Sequence, residues 1–255
     1  MLVSGGRISW IRPAQDEGEL PAGTEVVDAG GTTIVPGLVD GHSHLTLPGG
    51  SHWIDRGSDP TDTLLAVAEA NGELQHRSGV RWARDVGLPW RPDARDAGLP
   101  WRSDARDAGL PWRPDGGTER ALSLGVRDRW RGRRDRPYVR AAGTWITARG
   151  LLPAGLGSAE AGDGDELLAA ALGQLDDGAD FVKLYLDGPD PATPPFSADE
   201  VGRVVQAVHA RGRKVTAHAT MLPGTRVCAA AGVDSIEHGF ELDADVAREM
   251  AGRGC

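Results

Sequence analysis

From residue 137 to residue 240 the chain alternates short β-like runs with helical ones, and this alternation limits the fold more than any other feature. PYVRAAGTWIT (137–147), DFVKLYL (180–186), KVTAHAT (214–220) and VDSIEHGF (233–240) are short and strand-like. Between them, DELLAAALGQL (165–175) and SADEVGRVVQAVHARG (197–212) repeat apolar residues at helical spacing. The second opens with a capping box, Ser197 with Glu200, and puts Val201, Val204, Val205 and Val208 on one face. A third short helix is expected over 223–231. Strands alternating with helices at this spacing predict a parallel sheet wrapped by helices, an α/β fold. Upstream, residues 60–76 predict a helix and 80–86 a strand. Residues 2–36 hold smaller β-like runs (LVSGGRISWI, EVVDAG, TTIV), expected to form a small sheet that ends at Pro36-Gly37.

A chain of 255 residues fits one large domain or two small ones. Its formal charge of −9, with no basic stripe, excludes a nucleic-acid footprint. The Arg-rich run RDRWRGRRDR (127–136) is interrupted by Asp and reads as a solvated helix face or loop. No apolar run reaches membrane-spanning length, and MLVSGGRISW lacks the pattern of a secretory leader. Cys228 and Cys255 stand in no ligand spacing and predict no disulfide framework. Together these features predict a cytoplasmic protein with no nucleic-acid or membrane partner. Residues 83–115 are three near-identical eleven-residue units with a Pro in each, which excludes a continuous helix and predicts a duplicated loop insertion.

The chemistry starts at GLVDGHSHL (37–45). His42 and His44 are one residue apart at the end of an apolar segment, and alternate side chains of a strand share a face. Two neutral imidazoles converging there can grip one divalent metal ion. Lys183, His218 and His238, with Asp187 as a weaker candidate, fall at the carboxyl ends of later strands, where sites of parallel α/β folds assemble. Lys183 interrupts an apolar strand, where burial disfavours the ammonium form. A neutral buried amine can react with carbon dioxide to give an anionic carbamate; the plainer alternative is a salt bridge to a nearby Asp or Glu. His52 lies in a polar loop close to the mouth of this region, and His76 and His209 on helices read as structural or solvated.

In order, VDAGGTTIVPGLVDGHSHL (27–45), GVRWARDVG (79–87), DFVKLYLDG (180–188), GRKVTAHAT (212–220) and AGVDSIEHG (231–239) resemble the amidohydrolase superfamily, most of all its imidazolonepropionase-like and Xaa-Pro dipeptidase-like branch. The resemblance implies a TIM-like (β/α) barrel behind a small N-terminal β-sandwich segment, residues 1–37 and 38–255 respectively. It implies two divalent metal ions, zinc being the natural choice: His42 and His44 on the first, His218 and His238 on the second, and a Lys183 carbamate bridging them. It implies hydrolysis of amide, cyclic amide or dipeptide C–N bonds in a small-molecule substrate by a metal-activated hydroxide, in a chain free to form a homo-oligomer. Relatives of this kind carry a seventh strand and an eighth ending in a catalytic Asp. The sequence stops at Ala251–Cys255, and neither Asp187 nor Asp234 replaces that Asp, so about six of eight strands and no assigned catalytic residue are expected. The alternative expectation is a truncated, inactive chain that at most binds metal, with exposed strand edges and poor solubility.

Overall fold

The computed structural model describes residues 1–16, 18–87, 121–152 and 158–253. The chain divides into two compact units, Met1–Pro36 and Gly37–Cys255. In the first, β1 (Leu2–Ser4) and β2 (Arg7–Trp10) pair antiparallel. The expected runs at EVVDAG and TTIV form no ladder: Val26, Val27, Ile34 and Val35 are exposed, and strand-forming side chains do not make a strand without a partner for the backbone.

The second unit is α/β, and its described strands pair only in parallel. Its elements are β3 (Leu38–Ser43), α1 (Trp53–Arg56), α2 (Thr61–Arg77), β4 (Val80–Asp85), α3 (Leu122–Trp130), β5 (Tyr138–Ala141), β6 (Ile146–Ala148), β7 (Ala159–Ala161), α4 (Gly164–Asp176), β8 (Val182–Tyr185), α5 (Ala198–Ala210), β9 (Val215–Ala219), α6 (Leu222–Ala231), β10 (Ser235–His238) and α7 (Ala244–Gly252). One sheet runs β3-β4-β5, the other β10-β9-β8-β6-β7. The main chain links them where Asp180 N donates to the Ala141 carbonyl at 2.9 Å. No described helix is long and apolar enough to cross a membrane. The repeats beyond Gly87, and Cys255, lie outside the described residues.

The α5 helix forms as its pattern requires. Ser197 and Glu200 close the capping box, and Val201, Val204, Val205 and Val208 are buried against Val182, Leu184, Val215 and Ala217 on the outer face of β8 and β9. Each such valine contributes roughly 1.5–3 kcal/mol of apolar burial.

Two expectations are corrected. The run 137–147 is not one strand: Gly143, at φ 85°, breaks it, and β5 and β6 join different sheets. The Gln174 Oε1 atom lies 2.3 Å from where a Cβ at 143 would stand and accepts from Thr144 N at 2.9 Å, so only glycine fits the break. Nor is the Arg-rich run simply solvated. Arg127 is buried and donates to Asp180 at 2.9 Å and to the Gly178 carbonyl at 2.7 Å, while the indole of Trp130 packs on Gly72. The same Asp180 oxygen accepts from Ala141 N at 3.0 Å, so this ion pair sits on the junction of the two sheets.

Arg127→Met should therefore lower stability by about 2–3 kcal/mol, because it strands the Asp180 carboxylate in a half-buried site. Urea unfolding of the whole chain measures this, and a midpoint equal to wild type would show that the junction does not depend on the pair.

Candidate metal centre

Parallel pairing in register builds the floor of the site. Lys183 pairs with Thr216 and Thr216 with Ser235; Tyr185 pairs with His218 and His218 with Glu237. Residues paired across parallel strands share a face, so these six side chains form two layers on the face opposite the valine core. The upper layer opens into a cavity of about 450 Å³, lined by His42, His44, Leu47, Trp145, Tyr185, His218 and His238 among others. Four of the five residues expected at the site thus line one cavity. Lys183 sits one layer deeper and is 1% exposed.

The histidine pair at the carboxyl end of β3, His42 within it and His44 just past it, reaches this face through an irregularity. The β3–β4 register shifts between Asp40 and Ser43. Asp40 turns to α2, where its carboxylate accepts from Gln75 Nε2 at 2.9 Å, while His42, two residues on, turns to the cavity. Regular alternation would have put both on one side, and a bulge is how a strand re-aims a side chain.

Each ring of the pair is held by its Nδ1. His42 Nδ1 lies 2.6 Å from Glu237 Oε2, and His44 Nδ1 lies 2.7 Å from the Gly87 carbonyl oxygen. A carbonyl only accepts, so His44 Nδ1 carries the proton. Glu237 is ionised: burial pushes its carboxyl up, but the His42 and Thr216 hydrogen bonds and the charges of Lys183 and Arg84 outweigh this and hold it at about 2. It too only accepts. Burial drives His44 down to about 4, so that ring is neutral near pH 7. The Nε2 atoms of the two rings face one another at 3.2 Å, and in the neutral form that binds metal, with each Nδ1 donating, both would be bare.

Lys183 Nζ is buried without a hydrogen-bond partner. The expected alternative of a salt bridge is therefore not formed; Glu237 acts on the amine only through its charge, and burial outweighs it and lowers the group to about 7. His218 stacks on Tyr185 with ring centroids 4.3 Å apart, and its Nε2 lies 3.3 Å from Asp187. Burial, then the charges of Lys183 and His238, bring it to about 4. Asp187 is saturated, accepting from Thr220 N at 2.7 Å, Thr220 Oγ1 at 2.6 Å and Met221 N at 3.1 Å, which makes it a cap on the loop into α6. His238 has φ 75°, a left-handed backbone uncommon outside glycine. Alternation would face it outward beside Glu237; the left-handed turn brings its ring to 4.9 Å from His42 and 4.7 Å from His218.

The remaining candidates fall elsewhere. His52 is exposed beside Asp55, and His209 binds Asp234, which also accepts from Lys214 and from Val215 N near the amino end of β9. His76 is partly buried on α2. Glu237 was missed in the sequence, although Ser235 and Glu237 alternating with Ile236 carried the signal. Asp85 was missed too: it is fully buried, accepts from Leu45 N and Gly87 N, and is raised by burial to about 6. Among the described residues, no three His, Cys, Asp or Glu side chains already converge as ligands of one ion; the cluster is two imidazole pairs with a lysine beneath.

No family model matches the chain. An uncharacterized protein of Mycobacterium tuberculosis (strain ATCC 25618 / H37Rv) is 31% identical over 252 residues, covering 96% of this chain and 55% of that protein. The imidazolonepropionase of Arthrobacter sp. (strain FB24) is 27% identical over 258 residues, 99% of this chain and 58% of its own length. Among solved structures, a Xaa-Pro dipeptidase with methionine bound in its active site superposes with a TM-score of 0.63 at 26% identity, over 86% of this chain and 52% of that one. These matches support membership of the amidohydrolase superfamily, at distant identity. The chain spans a little over half the length of the curated relatives it matches along its whole length.

The Lys183 amine holds its proton up to about pH 10.5 when unfolded but only below about 7 when folded. Stability from burying it neutral is thus present above the unfolded value and is lost as pH falls through the folded one. Metal-free protein in carbon dioxide-free buffer should become more stable from pH 7 to about 9, above which the buried Cys228 thiol, pushed up to about 12, offsets the Lys183 contribution. Lys183→Met should flatten that rise and add about 1–3 kcal/mol near pH 7. Urea midpoints across the range test both statements; a flat wild-type profile or a less stable Met variant would contradict them.

Proposed function

We propose that this chain carries the metal centre of a metal-dependent amidohydrolase acting on amide, cyclic amide or dipeptide C–N bonds, its two sheets being staves of a TIM-like (β/α) barrel. The observation that carries the reading is the pair of Nε2 atoms, of His42 and His44, facing each other at 3.2 Å. With both rings neutral and donating from Nδ1, two lone pairs at that distance would repel unless a cation lay between them, and two imidazoles on one tetrahedral zinc ion sit about 3.3 Å apart. The donor set fits: neutral imidazoles suit zinc, and the unpartnered Lys183 amine is the nucleophilic free base needed to take up carbon dioxide as a carbamate.

His42 and His44 would hold one ion, His218 and His238 a second, and carbamylated Lys183 would lie between them. Bound there, the metal would supply Lewis acidity to a substrate carbonyl and to water. Trp145, Tyr185 and Leu47 make the cavity wall largely apolar, and its volume suits a dipeptide-sized ligand. The names of its relatives, a Xaa-Pro dipeptidase and an imidazolonepropionase, support this substrate class.

Purified chain should retain zinc after dialysis, lose it to a chelator, and bind it at least tenfold more weakly as His44→Ala. Metal analysis and a screen of Xaa-Pro dipeptides and lactams, run with and without zinc, check this. Retention of zinc without turnover on any substrate would remove the hydrolytic assignment; failure of the wild type to bind zinc would remove the metal as well.

A further inference from the structure

The Glu237 carboxylate is not among the residues lining the cavity, yet it is engaged at both oxygens beside it. Oε2 accepts a hydrogen bond from His42 Nδ1 at 2.6 Å, and Oε1 accepts from both the Arg84 guanidinium and the Thr216 hydroxyl. Its partners are themselves fixed. Arg84 also donates to the Gly41 carbonyl at 2.7 Å and to Ser235 Oγ at 3.1 Å, and Ser235 Oγ donates to Thr216 Oγ1 at 2.8 Å. The carboxylate thus has no freedom to turn away from His42. Arg84 meanwhile ties the backbone of β3, just before His42, to β10, on which Glu237 stands.

We infer that Glu237 is a positioning residue for His42, locking its Nδ1–H tautomer so that the bare Nε2 is aimed at the ion it would share with His44. The inference rests on the metal reading above. A carboxylate behind a ligating imidazole also makes the ring a stronger donor, and loss of such a partner typically weakens metal binding about 10–100-fold. His44 has only a neutral carbonyl behind it, so the two histidines are unequal ligands and His42 is the one whose strength depends on a distant side chain. A glutamine at 237 keeps the size but can present either an acceptor or a donor to Nδ1, which releases the tautomer.

The test uses the full chain with ¹⁵N-labelled histidine and a chromogenic zinc chelator as competitor. In metal-free wild type, His42 should show a protonated Nδ1 and a bare Nε2. Glu237→Gln should mix the tautomers at His42 and not at His44, and should lower zinc affinity about 10–100-fold with an unfolding midpoint near wild type. Arg84→Met, which frees the far oxygen, should weaken zinc in the same direction by a smaller factor and serves if the Gln variant does not fold. A proton on Nε2 of His42 in wild type, or wild-type zinc affinity in a folded Glu237→Gln or Arg84→Met protein, would overturn the inference. A wild type that has the expected tautomer but takes up no zinc would instead refute the metal reading, leaving Glu237 as a tautomer lock without a ligand to serve.

Discussion

The Nε2 atoms of His42 and His44 are held 3.2 Å apart, and the rest of the site is arranged around that contact. Left free, the rings would rotate so that one donates to the other or both reach water. They cannot, because each is hydrogen-bonded at its other nitrogen to a group that only accepts. On the metal reading, both rings would then be turned as a cation between them needs, with the reorganisation complete before the ion arrives. Asp85 extends the same logic one step back. It fixes Gly87 N at 2.9 Å, and the Gly87 carbonyl fixes His44.

Around this contact the chain accepts further unfavourable features. Lys183 is buried without a hydrogen-bond partner among the described residues, and His238 holds a left-handed backbone; each costs of order 1–3 kcal/mol. The opposite face of the same strands offsets them, since Val182, Leu184 and Val215 pack on the valine stripe of α5 with ordinary helix and strand geometry. One sheet thus carries a regular apolar face and a strained polar one. Departures from local rules that gather on one face and spare the other mark a functional face rather than a poor fold.

This division also explains what could be read in the sequence. The apolar face obeys period rules, so β8, β9, β10 and α5 were legible from spacing alone. The His42/His44 pair was legible because both rings do leave the same side of β3. The route by which they do so was not, since a bulge at Asp40 leaves no mark in an alternating pattern. His238 drew attention as the polar end of a strand, but alternation by itself points it away from the cavity, and a positive φ at a non-glycine residue cannot be foreseen from composition. Glu237 was overlooked because the histidine beside it looked like the chemical residue of the pair. Gly143 and Arg127 were misread for a shared reason: a glycine in a β-like run and an arginine in a charged run each take their meaning from a distant partner, Gln174 and Asp180.

The distance along the chain between these partners has a further consequence. His42 and Glu237 are 195 positions apart, and Arg84 reaches Glu237 across 153. Until β10 is in place beside β9, His42 has no carboxylate behind it and its tautomer is free. A contact of such long range forms only after much loop-closure entropy has been lost, so the site is completed with the late, non-local part of the fold. If the proposed metal binds, an ion that prefers the ordered pair would stabilise the docked state of β10 over the undocked one, making metal occupancy and closure of the sheet two readings of one equilibrium.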